Sequence, residues 1–221
     1  MAPTDKPHIL LLSLSHRDSL VQTYSPLFKR LSEVAVIRHV KTAPVALQVV
    51  AETTLKAIII TDEHLTESKS ESRLVLSIVK DYIQKVGGLV IAGLHFPIHT
   101  RYEDFQPFFE SFGLPWRCGD CYRTTFQLNP SCALPEGIKP SSLPGPYSMK
   151  VLHVKDAKPQ ENFFVPIPGA VNESLSLASG YMNPDQAAVA GARLGRGYLI
   201  YCGDVNGEDG TTQLILALCG F

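Results

Sequence analysis

The chain of 221 residues carries a formal net charge of −1, and 45% of its residues are hydrophobic while 19% are charged. This balance gives no general attraction for nucleic acid or for an anionic membrane surface, and no window approaches the roughly 20 apolar residues of a membrane span. We therefore predict one domain over residues 1–221, with neither a nucleic-acid nor a membrane partner.

The predicted compartment is the cytoplasm. The first apolar run, residues 9–14, is too short for the core of a signal peptide, and only Lys6 precedes it as a basic residue. Five cysteines are an odd number in a chain of this size, which fits a reducing compartment better than a disulfide framework. We expect a soluble, cytoplasmic protein.

Strand and helix patterns alternate in the first half of the chain. Strands are predicted at 8–14, 34–40, 56–61 and within 87–93, and helices at 20–31, 44–55, 66–86 and 101–112. The strands are continuous apolar runs, which is typical of strands buried on both faces. Strict alternation with helices implies right-handed crossovers and hence an α/β fold with a doubly wound, mostly parallel sheet and helices on both faces.

The second half has a different texture. Prolines and glycines recur between residues 114 and 168, which we interpret as a Pro-rich lobe with short strands at 122–128, 149–154 and 163–165. Residues 187–194 and 198–202 flank Gly195-Arg196-Gly197 and predict a hairpin, and 211–219 predicts a closing helix. We therefore expect antiparallel hairpin additions to the sheet.

Polar residues follow four of the predicted strands. In a parallel sheet the ends of these strands meet at one edge, where ligands bind. The candidates that would bind a ligand there are Ser15 and His16 after the first strand, His64 after the third, His99 after the fourth, and Asp204 and Asn206 after the last. The candidates for catalysis are His95, Asp62 and Glu63.

The segment GGLVIAGLHFPIHT, residues 87–100, reads as a buried strand that enters a sharp turn with His95 at its apex. Such a turn presents a nucleophile in several enzyme classes, with small residues on either side. Gly93 fits this pattern, whereas Phe96 and Pro97 are bulky. The imidazole could act as a base or bind an anion, or it could simply hydrogen-bond a neighbouring loop.

Two segments carry a family resemblance. Residues 87–95 resemble the Gly-Gly-apolar-apolar-Gly-Leu-His segment of the trehalose-utilisation (ThuA-like) family, and residues 192–204 are similar to its closing Gly-rich hairpin. That family belongs to the class I glutamine amidotransferase-like superfamily. The resemblance implies a flavodoxin-like sheet and a pocket at the strand ends.

The chain departs from the active amidotransferases at the residues that matter for catalysis. Those enzymes have Cys at the elbow and a late His-x-Glu pair, whereas this chain has His95, and His153 is followed by Val154 and Lys155. A thiolate nucleophile needs a base within hydrogen-bond reach, so we expect no glutamine hydrolysis by the usual route.

Other motifs are interpreted as structural. Cys118 and Cys121 form a Cys-x-x-Cys pair, but a strand rather than a helix follows it, and Cys132 alone does not complete a zinc site. Residues 203–210 look faintly like a calcium loop, yet the glycine is misplaced and Ile215 stands where a glutamate is needed. We expect no metal and no cofactor.

Three functions remain open. The leading hypothesis is a small polar or anionic molecule bound at the strand ends through His95, His16, Asp62 and Asp204. A second is a hydrolase or isomerase for a carbohydrate-like substrate, with His95 as base and Asp62 or Glu63 orienting it. A third is a protein-interaction module, in which residues 134–168 form a contact surface or the interface of a homodimer.

Overall fold

The computed structural model describes residues 6–173 and 185–221. The strands of this part are His8–Leu12 (β1), Val36–Val40 (β2), Leu55–Ile60 (β3), Leu89–Ala92 (β4), Arg117–Leu128 (β5), Tyr147–Lys155 (β6), Asn162–Pro166 (β7), Val189–Leu194 (β8) and Gly197–Cys202 (β9). They form one mixed sheet in the order β2-β1-β3-β4-β9-β8-β7-β5-β6. The predicted α/β class is confirmed.

The α-helices of the described residues are Ser19–Thr23 (α1), Ser25–Val34 (α2), Ala43–Glu52 (α3), Ser70–Asp81 (α4), Phe96–His99 (α5), Tyr102–Glu110 (α6) and Asp209–Leu218 (α7). None of these helices is long and apolar enough to cross a membrane.

The parallel half of the sheet is covered on both faces. Strands β2, β1, β3, β4 and β9 run parallel to their neighbours. Alternate residues of β1 enter different cores: Ile9 and Leu11 pack with α1, α2 and α7, whereas Leu10 and Leu12 pack with α3, α4 and α6. Continuous apolar strands are therefore required here, because each face must be apolar.

Two predicted helices differ from those observed. The helix predicted at 20–31 is broken at Tyr24, because Pro26 begins a new helix and disfavours helical geometry in the residues before it. The helix predicted at 66–86 starts only at Ser70 and ends in a π-helical turn, Tyr82–Val86, which Gly87 terminates in a left-handed conformation. Leu74, an apolar residue of this helix, is 56% exposed.

The segment predicted as a Pro-rich lobe contributes three strands to the sheet. Strands β8, β7, β5 and β6 continue it in antiparallel pairing. The outer strand β6 then returns to the main body, since Val151 pairs with Asp204 and Val154 with Ala187. The antiparallel additions are confirmed, and they close back on the end of β9 instead of standing apart as a lobe.

Strand β5 begins at Arg117, five residues before the predicted start, and contains both residues of the Cys-x-x-Cys pair. A register shift between Cys118 and Cys121 lets the strand continue past them. Both thiols are free, and burial raises the pKa of Cys118 to about 12 and that of Cys121 as well.

Gly191 in β8 provides a test of the antiparallel packing. A Cβ at this position would lie 2.3 Å from Cζ of the buried Phe163 ring, which crosses it from β7. We expect Gly191→Ala to lower the free energy of unfolding by about 1–3 kcal/mol, because the ring must move in a packed core. Urea unfolding followed by circular dichroism measures this. Gly145→Ala is the control, since nothing lies within 4 Å of its Cβ. A Gly191→Ala protein as stable as the control would contradict the packing.

Candidate functional site at the carboxyl ends of the parallel strands

The loops after β1, β3 and β4 meet at one edge of the sheet. Leu12 pairs with Ile60, and Ile60 with Ala92, so these three strands end level with each other. The polar residues that follow them are therefore neighbours in space. The structure brings together Ser15, Asp62, Glu63, His64, His95 and His99 from the predicted set. His16 lies in the same loop as Ser15, with its ring against His39.

Asp62 ties two of these loops to each other. Its Oδ2 accepts a hydrogen bond from the Ser15 amide at 2.9 Å, and its Oδ1 accepts one from the His64 amide at 3.2 Å. The side chain is only 4% exposed. Burial raises the pKa of Asp62 to about 6, against the opposing effect of the two amide bonds. Asp62 is thus a buried carboxylate with its oxygens committed to backbone groups.

Glu63 is paired with Arg17, a residue outside the predicted set. The guanidinium donates to both Glu63 carboxylate oxygens and also to the Ser15 carbonyl at 3.1 Å. Burial acts to raise the pKa of Glu63, but the Arg17 hydrogen bond and charge lower it overall. The signal that could have identified Arg17 is its position in the same loop as Ser15 and His16.

The strained residue of the turn after β4 is Leu94 and not His95. Leu94 has a φ of 59°, whereas His95 has ordinary helical angles of −79° and −11°. A left-handed conformation costs a bulky residue roughly 1–2 kcal/mol. The prediction that His95 occupies the apex is therefore wrong by one residue, and the residue at the apex is an apolar side chain that is 1% exposed.

His95 lies beside this turn, in contact with two other rings. The His95 ring is 5.6 Å from the Tyr24 ring and 5.2 Å from the His99 ring. Burial, followed by the charges of His99 and Arg17, lowers the pKa of His95 to about 4; burial and Arg17 lower that of His99. Both imidazoles are neutral at pH 7. Within the described residues, no carboxylate hydrogen-bonds the His95 ring to orient it as a base.

His39, a second residue absent from the predicted set, lies near the end of β2. Its Nε2 is 2.8 Å from Ser13 Oγ, which is 2.6 Å from Thr61 Oγ1. The His16 ring packs edge-on against His39, with the centroids 5.2 Å apart. Burial, and then His16 and Lys41, lower the pKa of His39. The position of His39 near the end of a parallel strand was the available signal.

Asp204 and Asn206 belong to the loop between β9 and α7. The Asp204 carboxylate accepts hydrogen bonds from the amides of Asn206 and Glu208, both at 2.8 Å. Asp204 is buried, and this burial raises its pKa. The carboxylate therefore holds the loop that starts α7. That Asp204 and Asn206 bind a ligand stays a prediction.

The cysteine that comes nearest to the elbow is Cys202 at the end of β9. A Cβ on Gly93 would be 3.2 Å from Cys202 Cβ. The Cys202 thiol is fully enclosed, and burial raises its pKa to about 12. Among the described residues, no group of three or more His, Cys, Asp or Glu side chains is arranged to hold a metal ion.

Comparison with known proteins gives similarity of structure alone. No family model and no curated protein sequence matches the chain. A protein from Bacteroides uniformis described as ThuA-like superposes with a TM-score of 0.64 and 14% identity, over 99% of this chain and 91% of that one. A second such protein, from Parabacteroides merdae, gives a TM-score of 0.56 and 9% identity, over 98% and 89%.

Part of a larger enzyme also has this fold. A β-galactosidase from Bacillus circulans superposes with a TM-score of 0.57 and 11% identity, over 98% of this chain but 31% of the enzyme. At such identities the likeness concerns the fold and not the activity. The superpositions show that the chain shares its fold with ThuA-like proteins.

Proposed function

We propose that the protein is a flavodoxin-like, class I glutamine amidotransferase-like domain without the amidotransferase triad, and that it binds a small polar molecule at the carboxyl ends of the parallel strands. The observation that carries this proposal is the elbow itself. Its strained position holds the buried side chain of Leu94, which offers no nucleophile, while the neutral rings of His95 and His99 stand beside it.

The cysteines support the loss of amidotransferase chemistry. Attack on glutamine needs a thiolate, and thiolates form where a positive charge or a helix N-terminus lowers the pKa. In this chain burial raises the pKa of every cysteine, namely Cys118, Cys121, Cys132, Cys202 and Cys219. None of them is an activated nucleophile.

The charges at the edge favour a neutral ligand over an anion. Arg17 and Glu63 offset each other in their ion pair, and the Asp62 carboxyl, whose pKa is about 6, is mostly ionised at pH 7.5. The imidazoles of His39, His95 and His99 carry no charge there because their pKa values are lowered. Neutral imidazoles both donate and accept hydrogen bonds, which suits the hydroxyl groups of a sugar or polyol.

Thermal melting with a panel of ligands tests the binding proposal. We expect monosaccharides, disaccharides or polyols to raise the melting temperature by about 5–10 °C at 100 times Kd, since ligand binding at that ratio adds about 2.7 kcal/mol. The shift should shrink in Arg17→Gln and His95→Gln, each compared with its own unliganded melt. Arg193→Gln, on the opposite edge of the sheet, is the control. A shift produced only by phosphate, citrate or nucleotides, or unchanged in both variants, would contradict the proposal.

Alkylation with iodoacetamide at pH 7 tests the state of the thiols. We expect no cysteine of the folded protein to react faster than free glutathione, and Cys202 and Cys219 to react only after unfolding, because both are buried. Peptide mass spectrometry gives the rate at each site. A cysteine that is alkylated much faster than glutathione would restore a thiolate mechanism.

The lowered pKa of His95 predicts a pH-dependent stability. As pH falls below about 6.5, the unfolded chain binds a proton at this histidine while the folded chain does not, so stability is lost. Between pH 7.5 and 5.5 the free energy of unfolding of the wild type should fall by about 1 kcal/mol more than that of His95→Gln. The opposing effect of Asp62 is common to both proteins and cancels. An equal slope in the wild type and in His95→Gln would refute the assignment.

A further inference from the structure

A serine and a histidine at the same edge have the geometry of a nucleophile and its base. Ser15 Oγ lies 3.2 Å from His64 Nδ1, and both side chains are partly exposed. In unliganded sites such a pair is often this long and tightens when substrate binds. We propose that Ser15 and His64 cleave an ester bond in a small polar substrate, which rests on the binding site proposed above.

Asp62 holds this pair in position through the backbone. It accepts hydrogen bonds from the backbone amides of both Ser15 and His64, and touches neither side chain through a hydrogen bond. The two loops that carry the pair are therefore held to one buried carboxylate. A nucleophile and base need to be preorganised within a fraction of an ångström, and Asp62 is the positioning residue that provides this.

A neighbouring serine shows what a purely structural pair looks like. Ser13 also lies beside a histidine, His39, but Ser13 is 0% exposed and its hydroxyl is shared with Thr61. No substrate can reach it. Ser15 is partly exposed, and within the described residues His64 is the hydrogen-bond partner of its hydroxyl. The accessible pair is the one suited to chemistry.

Charges beside the pair match those that develop during acyl transfer. The Arg17 guanidinium hydrogen-bonds the Ser15 carbonyl, which places a positive charge close to the nucleophile. The Glu67 carboxylate is 3.8 Å from His64 Nδ1, where it attracts the imidazolium that forms after proton transfer. Both charges lower the energy of the charged intermediate.

The reaction is a two-step hydrolysis. With its proton on Nε2, His64 takes the Ser15 hydroxyl proton on Nδ1 while Oγ bonds to the ester carbonyl carbon. The ester C–O bond then breaks, and His64 returns the proton to the departing alcohol. Water next attacks the acyl-serine, giving its proton to His64, and the acid leaves as Ser15 regains that proton. The net change is ester plus water to acid plus alcohol.

The surroundings of His64 indicate which type of substrate bond is cleaved. Within the described residues no carboxylate hydrogen-bonds its Nε2, so the imidazolium lacks the partner that stabilises it in a full triad. Without that partner the imidazole is a weaker base and activates Ser15 less, so the reaction needs a good leaving group, which an activated ester has and an amide lacks. The structure therefore favours an ester over an amide.

Labelling with a fluorophosphonate probe tests the pair. We expect one adduct per chain, located on Ser15 by tandem mass spectrometry, and hydrolysis of p-nitrophenyl acetate above the rate of denatured protein. Ser15→Ala should abolish both signals, and His64→Gln should slow labelling at least 100-fold. Ser32→Ala, an exposed serine bonded to a backbone carbonyl, is the control and should label like the wild type.

Labelling of the unfolded wild type keeps the test decisive if a variant does not fold. Unfolding the wild type in urea before the probe is added should abolish labelling of Ser15, because the Ser15–His64 pair exists only in the folded chain. No adduct on Ser15, an adduct on Ser15 that survives unfolding, or an unchanged rate in folded His64→Gln would overturn the proposal. If sugars still stabilise the protein while Ser15 is unreactive, the binding proposal stands and the esterase proposal fails. Labelling of Ser15 without stabilisation by sugars would support the esterase proposal and contradict the sugar-binding proposal.

Discussion

The parallel pairing of β1, β3 and β4 is the constraint on which the rest of the molecule depends. Because Leu12, Ile60 and Ala92 lie level in the sheet, three loops begin at the same edge. The polar groups of these loops must then form hydrogen bonds with one another or with a ligand. Asp62 forms hydrogen bonds within the protein, and these hold the loop after β1 to the loop after β3. Every functional proposal made above concerns groups placed by this register.

The turn after β4 has the backbone geometry of a nucleophile elbow but carries no nucleophile at its strained position. The left-handed turn is kept even though Leu94 pays a conformational penalty in it. The apolar side chain packs with Tyr24 and Cys202 in one core, so its burial offsets the strain. A polar nucleophile at this position would face the same core without a partner. The chemistry open to this chain therefore lies in the neighbouring loops.

The sequence predicted the elements well where one interaction dominates. Continuous apolar runs located all four early strands, and the Gly195 hairpin was found from its turn residues. One helix was predicted at 20–31 where the structure has two. The prediction followed the helical spacing of the apolar residues and gave too little weight to Pro26. Arg17 and His39 were not predicted, because a charged or aromatic side chain on a loop or an edge strand belongs to no periodic sequence pattern that would identify it.

The sequence by itself determined the α/β class and the edge at which polar residues gather, because both follow from local patterns of apolar and polar residues. Only the tertiary structure decided that Leu94 is the strained residue, that Arg17 pairs with Glu63, and that Ser15 faces His64. The two pairings depend on residues 46 and 49 positions apart in the chain being brought within 3.2 Å of each other. Such distances are set by sheet register and burial, which no local pattern contains.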